Sequence, residues 1–545
     1  MTGQSYDYIV IGSGSAGGVC AARLSESGRY RVLCLEAGTR TSKYVFTRPP
    51  AGTVFLIDNP EVNWRYRSEP DDCHGGRAIY VPRGKMLGGS SMINGTIYNR
   101  GQRLDYDTWA QMGCRGWSYD DVLPHLKAIE STDLGEDAYR GRSGPVRVTE
   151  AAKTSPFYDL FIRAAVAAGI PFNADYSGER QEGVAMAQQT VARGERQGVA
   201  NCYLEPAARR PNMDLVSGAE AEELIFEGKR CVGVRYRRGG EIREARATRE
   251  VIVSCGAANT PKLLELSGIG NPDILAEHGI VPRHELPGVG ENLRDHYAAI
   301  LKWRFARPGL SLSKRGRGLG LAMEVLRYGL TRTGFISQGI GTMRVFARSR
   351  PEKEEPDIMM VVAPFLIEMK TGESRRMSKE DGFFMYSHMQ RTESTGRIHL
   401  RSADPADPPK IEFRFLATEN DRQTAIAAVR RAREIVESEP MASAVAEEIA
   451  PGKAVQSDAE ILDFIRSAGQ ITHHMVGTCR MGHDPMAVVD DRLRVRGIEG
   501  LRIADASIMP TVPSGNTNIP CMMVGEKCAA MLLEDAAAAL EAVPA

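Results

Sequence analysis

The chain has 545 residues, with 69 Lys plus Arg against 69 Asp plus Glu, a formal net charge of zero. That balance excludes a partner recognised by overall charge, nucleic acid above all. At 42% hydrophobic and 25% charged residues the composition is that of a globular protein with ample core, and no window approaches the roughly 18 uninterrupted apolar residues of a membrane span.

Length alone suggests about three or four domains in series. The 55 glycines, about one residue in ten, point to many tight turns and close backbone approaches. Ten scattered cysteines form no C-x-x-C and no metal-type pairing, so they read as the reduced thiols of a cytoplasmic protein. Residues 1–7 hold no basic stretch followed by an apolar one, and no signal peptide is expected.

Tyr8, Ile9, Val10 and Ile11 form an apolar run that predicts a strand buried on both faces of a parallel sheet. Gly12, Ser13, Gly14, Ser15, Ala16 and Gly17 follow, then a helical stretch ending near Gly28 and a second strand over 31–35. The unit is β-α-β with G-x-G-x-x-G at its first turn. There Gly12 permits the bend, Gly14 admits a pyrophosphate to the backbone and Gly17 lets helix pack on strand. The helix N-terminus offers free N–H groups to phosphate. Glu36 closes the second strand, 24 positions after Gly12, where it can accept from ribose hydroxyls. A bare G-x-G-x-x-G arises by chance about half a time in a chain this rich in glycine, so its place between two strands carries the reading. The motif fits NAD or FAD equally.

Residues 84–98 (GKMLGGSSMINGTIY) read as a glycine-serine turn entering a helix, with N–H and hydroxyl donors for an anion or a polar ring. A buried strand over 251–254 leads into 256–270, in which Pro261 is expected in a first helical turn and Ser267-Gly268 stops the helix. Residues 301–350 hold eleven Lys or Arg against one acid, Glu324, a local charge of +10. Leu319, Leu321, Met323, Val325, Leu326 and Leu330 have helical spacing there, after a flexible approach over 311–320. The segment reads either as a lid that attracts anions or touches an anionic membrane face, or as a solvated surface paired with acids such as Glu352, Glu354 and Glu355.

Near the C-terminus, His473-His474 precedes Met475-Val476-Gly477-Thr478-Cys479-Arg480-Met481-Gly482. A strand into a helix or turn over 501–507 and the loop Gly515-Asn516-Thr517-Asn518 follow. Neither His473/His474 nor His474/His483 has the spacing of a zinc helix or finger, and no metal site is expected.

Residues 84–98 and 256–270, with Asn63-Trp64, the run from His474 to Gly482 and the Gly515–Asn518 loop, resemble the glucose-methanol-choline (GMC) flavoprotein oxidoreductases from end to end. The resemblance implies FAD as cofactor and an α/β fold, α+β overall. In it a Rossmann-like FAD-binding domain (1–155, 201–300 and 465–545) is interleaved with a substrate-binding cap domain (156–200 and 301–464) built on an antiparallel sheet plus helices. Two interleaved domains thus replace several in series.

The resemblance also assigns roles. FAD contacts are expected at Gly12, Ser13, Gly14, Ser15, Ala16, Gly17, Glu36, Ala37, Trp64, Gly88, Gly89, Ser91, Asn94, Ala221, Ala504, Asp505, Asn516 and Thr517, with Trp64 and Ala221 near adenine. Members with covalent flavin carry histidine where this chain has Ile93, so FAD is expected to be noncovalent. Cys479 belongs to a turn and His473 is structural. His474 faces the flavin, with Asn516 at the second chemistry position. The implied reaction oxidises an alcohol, a nonsugar or aromatic primary one, to the aldehyde, with hydride passing to flavin N5. An imidazole with an ordinary pKa of about 6.5 takes the hydroxyl proton, and a neutral amide holds the oxygen. The acceptor that follows, oxygen or a quinone-like carrier, and the oligomeric state are written in no motif. The alternatives are the family's hydroxynitrile lyase and light-driven fatty-acid decarboxylase chemistries, and a nicotinamide dehydrogenase motivated by the glycine turn alone.

Overall fold

The computed structural model describes residues 5–369 and 375–541; residues 1–4, part of the N-terminal stretch read above, lie outside it. Two seven-stranded sheets organise the chain. The first is built on Ser5–Ile11, which pairs in parallel with Val32–Glu36 on one side and with Glu241–Val253 on the other. The expected crossover helix is Gly17–Leu24. Met213–Ser217 extends the sheet beyond Val32–Glu36, and Leu501–Ile503 lies parallel to the end of Glu241–Val253. The strand interior is apolar because helices cover both faces. At the far edge Arg230–Arg238 and Ala219–Glu227 run antiparallel, and their alternating charged residues leave one face in water.

Ser5–Ile11, Val32–Glu36, Glu241–Val253 and Leu501–Ile503 all end at one edge. Gly12, Ala37, Ser254 and Ala504 therefore converge there, the edge where open parallel sheets bind ligands.

The second sheet is wholly antiparallel, in the order Val445–Ala450, Tyr297–Phe305, Gly382–Met389, Ile358–Ala363, Met343–Ala347 and Gly183–Met186, with Gln470–Ile471 also on Tyr297–Phe305. Period-two alternation sends Val345, Met360, Val362, Phe383 and Met385 into the main core. The helix Glu419–Glu437 packs on that face, where Ser387 Oγ donates to Ala428 O at 2.8 Å. The opposite face turns toward a large cavity.

Three local expectations change. The glycine-serine segment folds as a single 3-10 turn, Gly89–Met92, and not as a helix. Pro261 lies inside the helix Gly256–Leu266, because Asp505 Oδ2 accepts the Gly256 N–H at 2.9 Å and starts the helix earlier. The carbonyl that proline leaves free, Ala257 O, accepts the Thr478 hydroxyl at 2.7 Å. In the basic segment, the helix Gly318–Thr331 begins within the stretch expected as a flexible approach. The acids paired with that segment are Glu182, Glu195, Glu324, Glu380 and Glu447, while Glu352, Glu354 and Glu355 form no ion pair with it among the described residues.

Candidate active site

A cavity of about 1830 Å³ runs from the convergent edge of the first sheet to the open face of the second. Single ligand pockets usually span roughly 300–1,000 Å³, so this one has room for a dinucleotide and a further small molecule. At its first end the wall is Gly12, Gly14, Ser15, Ala16, Glu36 and Ala37. Gly12 has φ +99, and a Cβ there would lie 2.3 Å from Ser254 O. Gly14 faces open space, with nothing within 4 Å of an added Cβ. No side chain caps the helix that starts at Gly17; the Gly18 and Cys20 amides donate to Gly14 O and Ala16 O, each at 2.9 Å, which leaves those of Gly17 and Val19 for an anion. Ser15 Oγ ties the turn to the C-terminal helix by donating to Asn518 Oδ1 at 2.7 Å. Glu36 is buried, and burial raises its carboxyl pKa against the hydrogen bonds from Ser13 and Gly38.

Trp64, Gly89, Asn94, Ala221, Asp505, Asn516 and Thr517 also line the cavity. Lys85 Nζ sits 3.9 Å from the Trp64 ring centroid. Ser13, Gly17, Gly88, Ser91 and Ala504 stand behind the wall, and each makes contacts that shape it. Ser13 Oγ donates to Glu36 at 2.6 Å, Ser91 Oγ donates to Gly88 O at 2.6 Å, and Ala504 O accepts from Ser254 Oγ at 2.7 Å. Ile93, on the wall, offers no atom for a covalent link.

At the second end the titratable side chains of His474 and His388 meet the cavity. Gln470–Ile471 and Tyr297–Phe305 pair, which brings His474 and His296 together. His296 Nε2 lies 2.7 Å from Gln390 O, a pure acceptor, so that nitrogen carries the proton. His296 Nδ1 is then a lone pair, and His474 Nδ1, 2.9 Å away, must be the N–H. Thr472 Oγ1 is 2.7 Å from the same nitrogen. His474 Nε2 is thereby left as a lone pair, and it accepts from Asn516 Nδ2 at 2.9 Å. Asn516 Oδ1 is buried with no partner among the described residues.

Electrostatics keep this imidazole neutral. Burial, then His296 and His388, push the His474 pKa well below its ordinary value. His388, stacked on His296 at 4.7 Å, is held to about 4 by burial. The Asp295 carboxyl accepts the backbone N–H of His474, not its ring, at 2.8 Å, and burial raises its pKa to about 7 against the pull of Arg83.

His473, with φ 69, turns the chain between the strand and His474, and it too lines the cavity. Cys479 is fully buried off the wall, and burial drives its thiol pKa up, so it stays protonated. The sequence analysis names none of His296, His388 and Arg344, which only the fold brings to or beside the cavity wall. Among the described residues, Asp71, Cys73 and His74 alone group metal-ligating atoms within 4.8 Å of one another, and they lie outside the cavity.

Two sequence-family models, both described as GMC oxidoreductase, match residues 6–298 and 392–525. An oxygen-dependent choline dehydrogenase of Brucella ovis is 40% identical over 529 residues, covering 97% of this chain and 95% of that one. Among solved structures, pyridoxine 4-oxidase from Mesorbium loti superposes with a TM-score of 0.87 at 27% identity, covering 97% of this chain and 99% of the other. A formate oxidase superposes with a TM-score of 0.89 at 26% identity, covering 98% and 99%.

Proposed function

The chain belongs to the GMC oxidoreductase family and is an FAD-dependent alcohol oxidoreductase, and from that premise we propose that it converts a nonsugar primary alcohol to its aldehyde with His474 as base and Asn516 as positioner. The observation that carries this reading is the lone pair of a neutral, buried His474 Nε2 facing the cavity beside an amide donor.

FAD, when bound, supplies the two-electron acceptor for the hydride. The substrate hydroxyl replaces the Asn516 Nδ2–H at His474 Nε2, which takes the hydroxyl proton, and the resulting imidazolium shares its Nδ1–H with the His296 lone pair. Asn516 holds the alcohol oxygen without competing for that proton. Gly12, Gly14, Ser15 and Ala16 would hold the pyrophosphate, Glu36 and Ala37 the ribose, and Trp64 and Ala221 the adenine. Gly89, Asn94, Asn516, Thr517 and Asp505 would hold the remainder of the cofactor. Ser13, Gly17, Gly88, Ser91 and Ala504 would support these from behind, with the cofactor held noncovalently. Anaerobic bleaching of the yellow protein by primary alcohols, with aldehyde formed in step, tests the reading. Choline, benzyl alcohol and simple alkanols make up the first panel.

We also propose that the basic segment contacts an anionic membrane face. Among the described residues, no helix is long and apolar enough to cross a membrane. Yet among the described residues nine of the sixteen exposed large apolar side chains fall in three elements that all reach the cavity wall: Val45 and Phe46 in Val45–Thr47, Val54 and Phe55 in Thr53–Leu56, and Leu319, Met323, Val325, Leu326 and Leu330 in Gly318–Thr331. The helix Gly318–Thr331 buries Glu324 and Tyr328 and turns its apolar residues outward. Phe46, Phe55 and Val325 also line the cavity, so this surface rims its mouth. Lys314, Arg317 and Arg327 flank it with no ion pair among the described residues, which suits acidic headgroups. The protein is expected to sediment with phosphatidylglycerol vesicles at low salt and not with phosphatidylcholine vesicles. A Leu326→Glu, Leu330→Glu double variant should remain free in both; equal recovery of wild type and variant would refute the contact.

A further inference from the structure

Among the described residues five arginines are essentially wholly buried: Arg100, Arg140, Arg196, Arg344 and Arg502. Carboxylates neutralise three of them, through Glu130 for Arg100 and Arg140 and through Glu250 and Asp535 for Arg502. Arg196 spreads its two terminal nitrogens over four oxygen acceptors, Ser91 O, Asn94 Oδ1, Pro50 O and Thr53 Oγ1. Arg344 is different. Like Arg196, which also lines the cavity, it pairs with no carboxylate among the described residues and leaves Nε buried without a partner, but where Arg196 engages both terminal nitrogens Arg344 engages only Nη1, on Gly341 O at 3.0 Å and Met343 O at 2.9 Å. It is only 2% exposed. Burial draws its pKa down to about 10, which still leaves the guanidinium charged at neutral pH. A buried charge without a counter-ion is costly, and buried charges are as a rule paired.

The position of Arg344 says which ligand. It lies on the cavity face of the second sheet, in register with Val361, which in turn faces Tyr386. Two strand spacings, roughly 10 Å, separate the backbones of Arg344 and Tyr386. His388, next along that face, stacks on His296, which touches His474. Between the guanidinium and the base lie Met359 and Val361, an apolar stretch of wall. The cavity's carboxylates, Glu36, Glu195, Glu205, Glu220 and Asp505, come from other segments, and none lies on a strand of the second sheet. The pyrophosphate's place is at the glycine turn of the first sheet, so the cofactor's own charge belongs at the other end.

We propose that Arg344 anchors an anionic group of the substrate, so that the alcohol oxidised at His474 is a hydroxy carboxylate: a primary alcohol and a carboxylate joined by a short apolar body. The planar guanidinium fork matches a carboxylate, and Met359 and Val361 match the body. This rests on the alcohol-oxidation reading and balances as that reaction does. The carbinol C–H and O–H bonds break, the carbonyl π bond forms, the proton goes to His474 Nε2 and two electrons leave with the hydride to FAD. The product is an aldehyde carboxylate. Choline, the substrate named for the relatives, is a permanent cation that Arg344 would repel.

Two readouts on the holoenzyme test this. Hexanoate and its shorter and longer homologues, which lack the hydroxyl, are titrated while the flavin absorbance is followed. Wild type is expected to bind the best homologue roughly 30-fold or more tightly than Arg344→Met, with Arg344→Lys between them. The Arg344→Met melting temperature is expected at or above that of wild type, because an uncompensated buried cation is gone. In turnover, 6-hydroxyhexanoate and its homologues are expected to exceed 1-hexanol and choline in kcat/KM, and Arg344→Met to erase that preference through KM. Equal carboxylate affinity in wild type and Arg344→Met overturns the anion site, as does a wild-type preference for 1-hexanol or choline. Carboxylate binding that depends on Arg344, with no alcohol reducing the flavin, would keep the anion site and sink the alcohol reading instead.

Discussion

Replacing His474 with alanine is expected to slow alcohol-driven flavin reduction by about 10²- to 10⁴-fold, the range of positioned general bases, while FAD stays bound. At about 1.36 kcal/mol per decade that is roughly 3–5 kcal/mol of barrier. The expectation follows from proton inventory. His296 spends its N–H on Gln390 O and its lone pair on His474, His388 Nδ1 faces Met389 O, and Cys479 stays protonated off the wall. His474 Nε2 is the basic atom that meets both the cavity and Asn516. The same residue sets the pH dependence. Its pKa is lowered well below 6.5, so the lone pair is available throughout neutral pH and is lost only as pH falls through that depressed value. Stopped-flow reduction should therefore show an acid limb well below pH 6.5 in wild type and none in His474→Ala. A limb at or above pH 6.5, or a loss under tenfold, would assign the base elsewhere.

Gly17→Val is expected to yield colourless protein. A Cβ at Gly17 would stand 2.0 Å from Gly12 O and 2.7 Å from Ser254 Cβ, a clash with backbone that no rotamer relieves. The helix must then lift off the strand ends, carrying its uncapped amides away from the phosphate site. Overpacking alone costs roughly 1–3 kcal/mol, and losing the cofactor removes its stabilisation as well. Gly14→Ala is the matched control, because its Cβ would meet no protein atom within 4 Å and would project into the cavity. That variant should melt like wild type when both are stripped of flavin, yet retain less FAD. Flavin content after gel filtration and the melting temperature of the stripped proteins separate the two. A yellow Gly17→Val protein with wild-type stability would contradict the packing argument.

What the sequence discloses here is what is local. The βαβ unit is legible because a doubly buried strand, a glycine turn and an acid at the next strand end are neighbours in the chain. The resemblance carried by the segments around Gly89, Pro261, His474 and Asn516 reaches further, to FAD and the interleaved architecture. Contacts across the fold are silent. Nothing in the chain says that His296 meets His474 across 178 positions, or that Thr478 takes the carbonyl freed by Pro261. Helical spacing at 319–330 predicts the helix but not that its apolar side faces out, since periodicity fixes a stripe and only tertiary packing decides what covers it. Arg344 looks like one cation among eleven in a basic segment; its lack of a counter-ion appears only once the other four buried arginines are seen with their acceptors.

Anaerobic stopped-flow mixing of the yellow holoenzyme with primary alcohols, each beside its α,α-dideuterated form, decides between alcohol oxidation and a non-redox use of the same cavity. Oxidation with His474 as base gives flavin bleaching, aldehyde in proportion to the flavin reduced, and a several-fold slower reduction by the deuterated substrate. Product released while the flavin remains oxidised, or bleaching with no effect of deuterium, would contradict it.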